Sequence, residues 1–66
     1  MCLSNVYRVN KENPADKAAR ELVVKNAATV TIDGDKLIFT DIMGIKTVID
    51  ASLEKIDLMD NFILVR

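Results

Sequence analysis

The sequence predicts an all-β fold: a small antiparallel barrel or a strongly curled sheet of six or seven short strands. Three observations predict it. Short runs rich in Val, Ile, Leu and Thr recur along the 66 residues, several with the two-residue alternation of a half-buried strand. Turn residues separate the runs at close intervals, most clearly at Asp33-Gly34, Met43-Gly44 and Asp60-Asn61. Six or seven strands of about five residues each are enough to close, or nearly close, a sheet.

The first run, Cys2 to Val9, sets Leu3, Asn5, Tyr7 and Val9 on one face and Cys2, Ser4, Val6 and Arg8 on the other. Asn13-Pro14 with the alanines that follow suits a helix cap and first turn, so residues 14–20 read as a turn or two of helix or, alternatively, as a charged hairpin loop. A second strand is expected at Glu21 to Lys25. A third, Ala28 to Asp33, turns Ala28, Val30 and Ile32 one way and Thr29, Thr31 and Asp33 the other. Gly34 tolerates the positive φ of a tight turn and returns the chain into Lys36 to Thr40, with Leu37 and Phe39 sharing a side. Met43-Gly44 leads into Ile45 to Ile49. Asp50-Ala51-Ser52 is a linker, Leu53 to Leu58 a strand, and Phe62 to Val65 the last strand. Because that last strand is apolar on both faces, it either lies inside a closed barrel and under a loop or packs one face against a second subunit, the second being the favoured expectation.

Residues 1–66 are expected to form one domain, and a chain this short buries only about 60% of its unfolded surface. One cysteine excludes an intramolecular disulfide, and the absence of histidine excludes a Cys/His structural zinc site of the usual kind. A dense core and self-association remain, and with 50% hydrophobic residues a homodimer is the expectation. The opening lacks the charged start and apolar run of a secretory signal, and no stretch approaches the roughly 18 apolar residues of a membrane span. These features predict a cytoplasmic protein with no membrane partner. The net charge of -1 argues against a general nucleic-acid binder.

The chemistry-bearing feature is Cys2, directly after Met1. A thiol there can act with the chain's terminal amine and its own backbone nitrogen, which gives nitrogen and sulfur donors without histidine. The alternative is an inert, small apolar cysteine. Enzymatic function finds no support: no histidine offers a base, and neither Ser4 nor Ser52 sits in a setting that activates a nucleophile, so no catalytic residue is assigned. Asp33, Asp35 and Asp41 lack the calcium-loop pattern and, like Asp57 and Asp60, read as turn and surface residues. Met43 and Met59 read as apolar fillers rather than soft ligands.

The order of features resembles the CooT family of small nickel-binding proteins, some of whose members are catalogued as predicted RNA-binding proteins. The resemblance rests on Met1-Cys2-Leu3-Ser4-Asn5-Val6-Tyr7, then on Glu21-Leu22-Val23-Val24 and on Val30 through Leu37. Thr40-Asp41-Ile42-Met43-Gly44, Glu54-Lys55-Ile56-Asp57-Leu58 and Asn61-Phe62-Ile63-Leu64 extend it. The opening is its specific part. The chain departs from the family pattern at Ile42-Met43-Gly44-Ile45, where a Leu-Phe-Gly-acidic turn is common, and in residues 11–20, which are longer than the usual first connection; neither touches Cys2.

The resemblance implies a β-rich homodimer that binds one Ni(II) through Cys2, in some members accessory to maturation of nickel-dependent carbon monoxide dehydrogenase. Two arrangements suit square-planar Ni(II). With Met1 retained, its amine, the Cys2 amide nitrogen and the Cys2 thiolate chelate within one chain; with Met1 removed, the Cys2 amine and thiolate of each subunit form a symmetric plane. The competing readings are a small RNA-binding β-barrel using Tyr7, Phe39 or Phe62 as stacking aromatics, with no nucleic-acid-binding residue assigned, and a structural adaptor with no metal.

Overall fold

A computed structural model describes residues 3–66; the readings made for Met1 and Cys2, including the face that Cys2 shares with Val6, lie outside them. The strands are β1 (Ser4–Arg8), β2 (Glu21–Asp33), β3 (Lys36–Asp41), β4 (Lys46–Asp50), β5 (Leu53–Asp57) and β6 (Phe62–Val65). They form one six-stranded sheet in the order β4-β3-β2-β1-β6-β5. Every neighbouring pair is antiparallel except β1 and β6, which run parallel with Val6 beside Ile63 and Tyr7 beside Leu64. The all-β expectation holds, in its curled-sheet form rather than as a closed barrel.

Two short strands expected at Glu21 to Lys25 and Ala28 to Asp33 are one 13-residue strand. Its first half pairs with β1 and its second half with β3, so β2 belongs to both halves of the sheet. The change of partner falls at Asn26, held at φ 57, beside register shifts on both sides of the strand. Asparagine tolerates this left-handed conformation better than the β-branched residues around it. The Asn26 amide, turned out of the ladder, donates to Asn5 Oδ1 at 3.1 Å. A polar residue on β1 thereby fixes the corner at which β2 bends.

The bend is required by the connections. β4 and β5 are the two edges of the sheet, yet only Ala51 and Ser52 separate them. A two-residue link spans about 10 Å at most, so the edges must be brought together by folding the sheet over. Ser52 and Arg66 exchange backbone hydrogen bonds of 2.9 and 3.3 Å, which fastens that closed end.

The core lies between the halves. Val6, Val24, Ile63 and Val65 come from one half, Leu37 and Phe39 from the other, and Ala27 sits at the corner. Val23, Val30, Ile49, Ala51 and Leu53 pack around them. The alternation that pairs Leu37 with Phe39 is borne out, and Phe39 is 0% exposed.

The expectation that a second subunit covers β6 is overturned. Ile63, Leu64 and Val65 are buried within the single chain: Ile63 and Val65 belong to the core between the halves, and Leu64, beside Tyr7, is covered on the opposite face. In residues 14–20 the helical element is a single 3-10 turn, Lys17–Ala19, capped by Asp16 rather than Asn13: Ala18 N donates to Asp16 Oδ1 at 3.0 Å. Asn10 Oδ1 instead accepts from the amides of Glu12 and Asn13, so the start of the segment folds as a side-chain-braced loop.

Candidate functional site

β1 begins at Ser4 beside Ala27, at the corner of β2, and β6 begins at the same end because it runs parallel to β1. A groove of about 200 Å³ opens there, lined by Ser4, Ala28, Val30, Ile56, Leu58 and Ile63. Ile56 and Leu58 in its lining are exposed, Leu58 at 82%, and Met59, next in the turn, is 92% exposed.

The turns that display apolar side chains share a local device. In Asp41-Ile42-Met43-Gly44-Ile45 the Asp41 carboxylate accepts from the Met43 and Ile45 amides, both at 2.9 Å. In Asp57-Leu58-Met59-Asp60 the Asp57 carboxylate accepts from Met59 at 3.0 Å and Asp60 at 2.8 Å. The Asp60 amide bond, followed by those of Met59 and the nearby Lys55, holds the Asp57 carboxyl below the usual carboxylate range. Gly44 at φ 85 and Asn61 at φ 55 complete the reversals. Asp41 and Asp57 are therefore turn-forming residues, as the sequence suggests. Met43 and Met59, expected as fillers, are instead exposed at the turn tips.

The predicted ligands Met1 and Cys2 lie outside the described residues. Among the described residues, no three side chains of His, Cys, Asp or Glu converge in a way that holds a metal ion. Of the three aromatics, Phe39 is inside the core, while Tyr7 and Phe62 meet on the outer face with ring centroids 6.5 Å apart and planes at 73°. Arg20 and Lys55 lie over the Phe62 ring, 5.9 and 5.6 Å from its centroid. Sequence reasoning offered Tyr7 and Phe62 as stacking aromatics and missed this cluster. Its members come from β1, β5, β6 and the loop before β2, and only the parallel pairing of β1 with β6 brings them together.

A short, folded-over β-sheet whose first strand starts beside an apolar groove places the chain among small all-β domains. The chain belongs to the CooT family: the family model for CO dehydrogenase accessory protein CooT matches it over residues 1–66. Family membership makes it an accessory protein rather than an enzyme. Among solved structures it is similar to the crystal structure of a candidate CooT from Carboxydothermus hydrogenoformans, with a TM-score of 0.78 and 26% identity over 97% of this chain and 94% of that one. No curated protein sequence gives a significant match. None of the helices among the described residues is long and apolar enough to cross a membrane.

Proposed function

We propose that this chain is a cytoplasmic accessory factor that carries Ni(II) for maturation of a nickel enzyme such as CO dehydrogenase, with Cys2 as the ligand that defines the site. The observation that supports this reading is the family match over the whole chain, which includes the Met1-Cys2-Leu3 opening. Nickel is cargo here. The Cys2 thiolate supplies a sulfur donor, and the Met1 amine, or the Cys2 amine once Met1 is removed, supplies nitrogen, a donor set suited to tetragonal Ni(II). Because the thiol must lose its proton to bind, loading releases protons and weakens as pH falls.

A homodimer brings two copies of Cys2 to one twofold axis. Cys2 is two residues in sequence from Ser4, which lines the groove, and the neighbouring Ile56, Leu58 and Met59 offer exposed apolar surface for a second copy to cover. The RNA reading loses support: Phe39 is enclosed, and the rings of Tyr7 and Phe62 are engaged with each other and with Arg20 and Lys55 rather than open for stacking.

The test is an anaerobic Ni(II) titration of the reduced protein, followed by absorption, beside Cys2→Ser. Saturable thiolate-to-metal charge-transfer bands in the parent, absent from the variant, are expected. Uptake that ignores Cys2, or none at all, would overturn the proposal.

A further inference from the structure

The cations of this chain are not equally used. Lys36 holds Asp50 at 2.7 Å, and Arg66 holds Glu54 at 2.8 Å, so both are committed to partners within the chain. Arg20 is different. It has no ion-pair partner among the described residues, and its Nε is buried without an acceptor. Its position is nevertheless fixed, since its amide donates to Lys17 O at the end of the 3-10 turn, β2 begins at the next residue, and its guanidinium rests over Phe62. Lys55 reaches the same ring from the edge strand β5, with only a loose 3.6 Å contact to Asp57.

Two cations are thus set on one aromatic ring, with the Tyr7 ring edge-on to it. Tyr7 pairs across the sheet with Leu22, an apolar side chain that is half exposed. Arginine presents planar paired donors that match a carboxylate, and cations already held against a ring lose little further rotamer freedom on meeting an anion. Arg8, whose Nε also lacks a partner, lines a separate hollow with Glu12 and Glu21, where carboxylates of the chain are at hand.

We propose that the outer face carrying Tyr7, Phe62, Arg20 and Lys55 binds an acidic segment of a partner protein, with its carboxylates taken by the Arg20 guanidinium and the Lys55 ammonium and its apolar contacts made on Leu22 and Tyr7. Charge complementarity selects this occupant. A single-stranded nucleic acid would need an open ring face, and the Phe62 ring is already covered by the two cations. None of these residues is among the proposed nickel ligands.

Tyr7 is the only tyrosine, and the chain has no tryptophan, so its emission reports on this face. The experiment is titration of the full chain with a ten-residue glutamate peptide, read by Tyr7 fluorescence and by calorimetry, beside Arg20→Gln, Lys55→Gln and the control Lys36→Gln. Saturable binding that weakens with added salt, falls at least tenfold in Arg20→Gln and in Lys55→Gln, and is unchanged in Lys36→Gln is expected. Lys55 stands largely in solvent, so its variant remains informative if removal of Arg20 perturbs folding. Absence of saturable binding, binding indifferent to Lys55, or tighter binding of a ten-nucleotide uridine RNA at this face would overturn the proposal.

Discussion

Phe39 and Phe62 are both aromatic residues in short apolar strands, yet one is sealed between the two halves of the sheet and the other lies on its outside beneath Arg20 and Lys55. Local sequence does not separate them. The fold-over does, because it encloses the face that carries Phe39, while on the opposite face of β1 and β6 Leu64 is buried but Tyr7 and Phe62 stay partly exposed. Stability is concentrated at the first ring, and recognition surface is available at the second.

The largest expected effect that tests this contrast is Phe39→Ala, which removes a fully enclosed ring and should cost about 3–5 kcal/mol in urea unfolding. A cost under about 1 kcal/mol would mean that the halves do not pack around it. The corner comes next. Asn26→Val forces a β-branched residue into a left-handed conformation and removes nothing from the core, so about 2 kcal/mol of destabilisation is expected, with the strand content by circular dichroism retained.

Phe62→Ala should cost less than the loss of Phe39, about 1–2 kcal/mol, because its ring is only partly buried and flexible cationic stems can settle over the gap. Equal losses at the two phenylalanines would break the distinction between inner and outer face.

The smallest effect concerns acid stability. Asp57 has a folded-state pKa below its unfolded value, so the unfolded chain binds more protons in the acid range. The stabilisation it gives is present above the ordinary carboxylate pKa and is lost as pH falls through the depressed folded value. Asp57→Asn, which keeps an oxygen acceptor but not the charge, should lower the neutral-pH melting temperature slightly and flatten its decline below about pH 4, where the parent loses the same stabilisation. An unchanged acid limb would show that the turn does not depend on the charged form.

Much of this architecture was legible because it is local. The Asp33-Gly34 hairpin, the shared side of Leu37 and Phe39, the Met43-Gly44 reversal and the limits of β6 all follow from turn chemistry and two-residue alternation. What was not legible is non-local. Asn26 reads as a break between two strands, yet it is a bend within one strand whose cost is offset by Asn5, 21 positions away. Nothing near Phe62 to Val65 reveals that the strand joins β1 in parallel, and for that reason its two apolar faces suggest a partner subunit when the chain itself covers them. The metal reading is the reverse case. It came from the resemblance carried by Met1-Cys2-Leu3; the residues alone offer nitrogen and sulfur donors without fixing the metal.

The most direct measurement of the central claim is native mass spectrometry of the reduced protein incubated with one equivalent of Ni(II) and desalted, alongside Cys2→Ser treated identically. The account predicts a two-chain species carrying a single nickel in the parent and the same two-chain species without metal in the variant. Nickel retained by Cys2→Ser, or a parent that stays metal-free, would contradict it.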